Sequence, residues 1–502
     1  MAVGTDQTGD LETDGLLRDP INAPTRNGAK KLLILIACAG FILSADFGVY
    51  LSVAPQTAIF EQIICRNHLE LQTVGNVTQD PCKSEAVQGE LALINGYKDG
   101  FDVLPGILFS LPYGVLSDHW GRKPVLLLAT LGVLLSELWT RVICAWSDVL
   151  PLRLVWLSSM WQVIGGGSAT TTSVALNMVA DVFSEEERST ALFRLMACVL
   201  VSEVLATPAS AYMMTFSLWI PYILSYVIIV LGCLPFLFLP ETLEDAKAKR
   251  TDQQATVNNS IETTALLGKQ TFSQNLRHKL REFNESIIFM WKDSNVTWII
   301  VVAFVSVMSR QSTNILLQYA SKKFNWSIAQ ASLLITIRGI FGIFSYLVLI
   351  PTLTFLAARY LNLHGKFRDY RLSQLTGVFG IIGFTVMGLA PNPAILIAGL
   401  VIFSFSTAFG VSARSLATAL VPLDHVGTLY AALGVSQSIG TFIAGPLFAY
   451  LFQLGMHLGS AWMGLPFIQA AMCFVFATAA IWRIRLSRSF DEEGGEQEAL
   501  VS

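Results

Sequence analysis

Charge is scarce in this chain of 502 residues: 14% are Asp, Glu, Lys or Arg, while 53% are hydrophobic. A soluble fold of that composition would leave extensive apolar surface in water, so the chain reads as a polytopic membrane protein. The net charge of −3 comes with no basic stripe interleaved with aromatics, which excludes nucleic acid as a partner. Histidine is rare too, and His68, His119, His278, His364, His425 and His457 stand apart, unlike the clustered histidines of membrane desaturases and hydroxylases. No Gly-x4-Gly-Lys-Ser/Thr occurs, so ATP-driven pumping lacks its phosphate cradle. The seven cysteines are too scattered for a metal cluster or a disulfide framework. Cys38, Cys144, Cys198, Cys233 and Cys473 fall in apolar segments and read as small buried residues. Cys65 and Cys82 share a polar stretch, where a disulfide forms if that stretch faces an oxidising compartment. No enzyme, catalytic residue, cofactor or metal site is expected. The polar stretch before the first apolar run contains Pro20 and Pro24 and does not read as a cleavable signal.

Long apolar runs dominate what is present. A spanning helix needs about 20 predominantly apolar residues. Twelve segments qualify, at 32–55, 98–116, 125–145, 154–179, 191–213, 218–239, 296–319, 329–357, 374–390, 393–414, 427–453 and 461–482. The predicted fold is all-α, with a tail at 1–31, a six-helix bundle at 32–239, a polar linker at 240–295, a second six-helix bundle at 296–482 and a tail at 483–502. Most of the 33 Lys and Arg lie in the tails and the even-numbered loops, which puts both termini in the cytosol. Residues 56–97 then form the only long outer loop.

Between the second and third segments the chain reads Gly114-Val-Leu-Ser-Asp118-His-Trp-Gly121-Arg122-Lys123-Pro124. Asp118 faces two cations in a low-dielectric rim, and Gly114 and Gly121 permit a tight turn and close helix approach. Spacing, position and flanking hydrophobicity resemble the loop between helices 2 and 3 of the major facilitator superfamily. That resemblance implies a secondary transporter of twelve helices in two pseudo-symmetric bundles, and it implies that Asp181, at the end of the fourth segment, pairs with Arg122 to form a gate. Pro240-Glu241-Thr242 resembles a signature found after the sixth helix. Pro208-Ala-Ser-Ala-Tyr212 and Pro446-Leu-Phe-Ala-Tyr450 occupy equivalent positions of the two halves, as internal duplication requires. The first outer loop, with its two cysteines and a sequon, is similar to that of fungal members related to the proton-coupled folate transporter group. Two departures argue against a drug antiporter: Trp161 stands where exporters carry arginine, and Ala206 and Thr207 replace glycines before Pro208.

Ionisable residues at bilayer depth cost about 2.5–3.5 kcal/mol each on insertion scales, so they mark function. Candidates for the substrate and proton site are Asp46, Glu203, Arg310 and Arg338, with Glu137 and Arg141 forming a structural pair one turn apart. Counting the rise per residue places Glu203 and Arg310 nearest the midplane, where they could pair, and Arg338 in the outer half. The expected function is alternating-access, proton-coupled transport of a small organic solute by a monomer. Uptake by symport ranks marginally above export by antiport, and a transport-deficient sensor of the same fold is a third possibility. The plasma membrane is the expected site rather than the vacuolar membrane.

Sequons begin at Asn76, Asn258, Asn284, Asn295 and Asn325, and only Asn76 falls well outside the membrane on the outer side. Glycosidase treatment is therefore expected to shift the electrophoretic mobility of the expressed chain, and Asn76→Gln to abolish that shift. Modification at Asn258 would reverse the topology.

Overall fold

The computed structural model describes residues 24–71, 80–183, 185–243, 294–361, 365–421 and 426–484. Among the described residues there is no strand. The helices are α1 (Pro24–Leu71), α2 (Glu85–Trp120), α3 (Arg122–Ala145), α4 (Ser158–Trp161), α5 (Gly167–Val182), α6 (Glu185–Met214) and α7 (Trp219–Phe238). The carboxy-terminal half adds α8 (Ser294–Gln311), α9 (Leu316–Phe324), α10 (Ile328–Phe344), α11 (Ile350–Leu361), α12 (Gly365–Leu389), α13 (Pro393–Ser404), α14 (Ala408–Leu420), α15 (Val426–His457) and α16 (Leu465–Arg483). The expected linker and tails lie largely outside the described residues. Asn76, Asn258 and Asn284 do so as well, whereas Asn295 sits in α8 and Asn325 ends α9 in the left-handed conformation.

Two expectations about segment boundaries are corrected. Residues 56–97 are mostly helix rather than loop, because α1 continues to Leu71 and α2 starts at Glu85. Ser84 caps α2 by accepting a hydrogen bond from the Val87 amide. Val87, Leu91, Ala92 and Ile94 bury one face of the next turns. A window that averages hydropathy over all faces misses an amphipathic start of this kind. Next, the segment at 154–179 is not one helix. A 3-10 turn (Leu152–Leu157) and α4 are followed by Gly165, Gly166 and Gly167 at φ +89°, +81° and +74°, before α5 resumes. Three consecutive positive φ values interrupt a right-handed helix, and glycine adopts them without steric cost. A side chain at Gly165 would also collide with the backbone of Ala129 in α3. Among the described residues, ten helical stretches are long and apolar enough to cross a membrane. The other two expected segments are the fourth, broken at these glycines, and the fifth, which is helical as α6 and contributes the apolar stretch Cys198–Met214.

Aromatic packing builds the carboxy-terminal core, where Phe384 lies against Phe403, Phe467 and Phe474. The amino-terminal half has two cores, one around Cys38, Val125, Met178 and Phe236, and one around Phe60, Leu91, Ile143 and Tyr222. The halves meet where α2 crosses α15. A Cβ on Gly96 would lie 2.5 Å from the Gly445 carbonyl, so glycine on both sides permits backbone contact there.

A disulfide joins Cys65 of α1 to Cys82 in the 3-10 turn Pro81–Lys83. Closing this loop, 17 residues in sequence separation, stabilises the fold by about 3 kcal/mol in the chain-entropy model. Replacing both cysteines with Ser is expected to lower thermal stability accordingly and leave solute selectivity intact. Two freely alkylatable thiols in the native protein would show that the bridge does not form.

Candidate functional site

Charged residues collect at two levels. The first is the α2–α3 rim. Arg122 opens α3 with its guanidinium buried, Nη1 at 2.8 Å from Asp118 Oδ1 and Nε at 3.1 Å from Asp181 Oδ2. Nη1 also donates to Ser117 Oγ at 2.8 Å. Glu241 accepts the backbone N–H of Arg122 at 2.8 Å and of Lys123 at 3.1 Å. It thereby caps the positive end of α3. Gly121 has φ +115°, and a Cβ there would stand 2.5 Å from Glu241 Oε2. Glycine is therefore required at 121 on both counts. At Gly114, inside α2, a Cβ would meet nothing within 4 Å, so no close helix approach depends on it. Thr242 Oγ1 donates to Asp181 at 3.3 Å, and Lys123 Nζ to the Leu237 carbonyl at 2.8 Å. Pro240-Glu241-Thr242 is thus part of the rim.

The second level is a cavity of about 330 Å³ between the halves, lined by residues of α1, α2, α3 and α10 and by the 3-10 turn Ser312–Ile315 after α8. Beside it, Glu203 of α6 pairs with Arg338 of α10, Oε1 lying 2.6 Å from Nη2 and 3.1 Å from Nε. Tyr50 of α1 donates to Glu203 Oε2 at 3.4 Å, and Arg338 Nη1 to Thr313 Oγ1 at 3.3 Å. Gly339 lets α10 approach this closely, since a Cβ there would fall 3.0 Å from Val204 and 3.3 Å from Glu203.

The partner of Glu203 is therefore Arg338, not Arg310. Counting rise along a helix estimates depth but says nothing about rotation. The span that contains Arg338 runs as α10 to Phe344, passes through a π-helical turn (Ser345–Leu349) and continues as α11. Arg338 lies ten residues into α10, about 15 Å along it, and so falls near the middle of a bilayer of about 30 Å. The Arg310 guanidinium has no carboxylate partner among the described residues and packs against Gly410, where a Cβ would lie 3.4 Å from Nη2. Asp46 likewise shows no ion-pair partner among them, and neither residue lines the cavity. Glu137 and Arg141 pair within α3 at 2.6 Å. Arg141 also donates to the Tyr222 carbonyl at 3.1 Å and to Ser225 Oγ at 2.8 Å.

Three cavity residues escaped sequence reasoning: Lys98, Asp99 and Asp102. Starting the second segment at 98 left them at a loop boundary, whereas α2 starts at Glu85 and carries them about 20 Å further along its axis. The usable signal was Ser84 as an N-cap followed by buried apolar positions. Lys98 Nζ sits 2.8 Å from Asp102 Oδ2. Asp99 Oδ2 accepts from Asn314 Nδ2 at 2.9 Å, a second polar contact across the halves. Further cross-half contacts lie toward the disulfide. Lys83 Nζ bridges Glu61 and Ser321 at 2.5 Å each, and Lys322 donates to the Lys83 carbonyl. His457 lies 2.5 Å from Glu85. Among the described residues, the side-chain polar contacts between halves are confined to the cavity and the disulfide end.

The family model described as the Major Facilitator Superfamily matches residues 36–308 and 299–501. The chain is 35% identical to the MFS-type transporter avaK of Aspergillus versicolor over 90% of its own length and 93% of the relative's. It is also 35% identical to the efflux pump ustT of Aspergillus flavus, covering 93% of this chain and 90% of that one. The solved nucleoside transporter NupG shares the fold at a TM-score of 0.63 and 12% identity, over 90% of this chain and 99% of that one. The chain belongs to the major facilitator superfamily, as a multi-pass membrane transporter of small molecules.

Proposed function

We propose that this protein exports a small organic solute in exchange for protons, with the Glu203–Arg338 pair as the element that couples proton binding to movement of the halves. That pair carries the reading. It crosses from α6 to α10 beside the cavity, and Glu203 is only 9% exposed. Removing one partner of a buried pair costs about 3–5 kcal/mol, because the other charge is left dry and uncompensated. A proton on Glu203 cancels its charge before the halves part, and Arg338 can then turn to the cavity. The halves at 32–239 and 296–482 are taken to move as bodies. The direction comes from likeness to ustT, an efflux pump at 35% identity, which outweighs the marginal preference for uptake drawn from the intramembrane charges and from Trp161, Ala206 and Thr207. In this reading the protein acts as a monomer in the plasma membrane with both termini in the cytosol.

The rim supports the movement without touching solute. Asp118, Arg122 and Asp181 bind one another within the amino-terminal half, and Glu241 just after it holds the Arg122 backbone, all away from the cavity. Asp118→Asn is expected to slow turnover about tenfold while equilibrium solute binding stays within about twofold, since only the switch between access states is affected. Lost binding with intact turnover would reject this role.

The coupling is tested in proteoliposomes with an imposed pH gradient, screened against a metabolite library. Wild type should move solute against the proton flux. Glu203→Gln should lose about tenfold or more of gradient-driven transport yet keep solute–solute exchange, because an amide mimics the protonated acid. Arg338→Gln should lose both. Unchanged pH response in both variants would make the pair structural. Solute and protons moving together would establish uptake by symport.

A further inference from the structure

The charges around the cavity are not evenly matched, and the imbalance bears on the chemistry of the solute. Five charged residues line it: Lys98, Asp99, Asp102, Glu137 and Arg338. Lys98 is neutralised by Asp102 at 2.8 Å, Glu137 by Arg141 at 2.6 Å and Arg338 by Glu203 at 2.6 Å. Asp99 remains. Its contact across the cavity is the neutral Asn314 amide at 2.9 Å, and it has no ion-pair partner of its own among the described residues. Lys98 beside it on α2 is already engaged by Asp102, and the other titratable groups around the space are Glu137 of α3, Arg338 of α10 and Tyr50 of α1. The pairs sum to zero, so the ionised cavity carries one uncompensated negative charge.

We infer that Asp99 is a solute-binding residue and that the solute presents a cationic group, such as a protonated amine, to it. Resting on the export reading above, this inference names its substrate class and the point of competition. An ionised Asp99 attracts the cation in a low-dielectric site, where an unpaired charge is costly. A proton arriving from the opposite side neutralises Asp99 and removes that attraction, so proton and solute bind in exclusion of each other. Mutual exclusion at one carboxylate yields antiport. Asn314 fits the same role. Its amide donor supports the ionised acid, and because the 3-10 turn holds it in the other half, rocking of the halves withdraws it. Asp99 and Glu203 thereby divide the work: the first exchanges solute for a proton, and the second ties protonation to the separation of α6 from α10.

The test measures binding to the purified full-length chain with two ions of the same shape and opposite charge, tetraphenylphosphonium and tetraphenylborate, neither of which titrates. The cation should bind and the anion should not. Affinity for the cation should fall between about pH 8 and about pH 5, the range through which a desolvated carboxylate becomes protonated. Asp99→Asn should weaken cation binding about tenfold or more and flatten the pH profile. Asp99→Glu should retain both binding and pH dependence. Preference for the anion, failure of the wild type to bind the cation, or an Asp99→Asn variant with wild-type affinity and pH profile would overturn the inference. Because those results leave the Glu203 transport experiment untouched, failure here is separable from failure of the export reading.

Discussion

An ion pair that bridges two halves of a protein at bilayer depth persists only while both partners stay together and largely withdrawn from solvent. Glu203 and Arg338 meet that condition. The medium that makes a lone charge expensive also makes the contact informative, since no alternative partner is supplied by lipid. Much of the surrounding structure serves it. Gly339 admits α10 to α6, Thr313 takes a spare guanidinium N–H, and Tyr50 occupies the second carboxylate oxygen. These neighbours satisfy the pair's remaining hydrogen-bonding capacity, without which a buried salt bridge is a net liability.

Irregular backbone in this protein falls where polar groups must reach the interior. The 3-10 turn at Ser312–Ile315 presents Thr313 and Asn314 to the cavity. The break at Gly165–Gly167 follows Gln162, whose amide reaches Asp102 at 3.4 Å and Ser136 at 3.2 Å. Interruptions of this kind are tolerated within a membrane only against protein or a cavity, because free N–H and C=O groups find no partner in lipid. The breaks therefore trace the polar interior independently of any charged side chain.

Much of this was legible in the sequence, for physical reasons that also explain the gaps. The rim motif was readable because its residues are contiguous and its requirements local: a positive-φ glycine, a cation, and carboxylates within one turn or at a helix end. Helix identity was readable because lipid demands length and apolarity. The partner of Glu203 was not, because pairing depends on rotation about the helix axis, and a one-residue change turns a side chain by about 100° at 3.6 residues per turn. Lys98, Asp99 and Asp102 were hidden by their own chemistry, since charges lower the hydropathy average that delimits a span. The Asp181–Arg122 contact was inferred from family resemblance, but the share taken by Glu241 was not, although the same tripeptide had been noticed.

Glu241 clarifies how the two levels of charge differ. Among the described residues, the side-chain oxygens bonded to the Arg122 guanidinium belong to the amino-terminal half, and the carboxylate that caps α3 lies just after it, at Glu241. Such a network stiffens one body: it fixes the α2–α3 turn to the end of α5 and to the chain leaving α7. The contacts of Glu203 and Asp99 instead run between bodies. A rigid body and a breakable contact are complementary requirements, because a proton binding at the cavity can move the far rim only if the intervening helices do not absorb the displacement. In the proposed mechanism the buried Arg122, held by three acceptors, would provide the stiffness that lets a change of one charge beside the cavity act on the whole half.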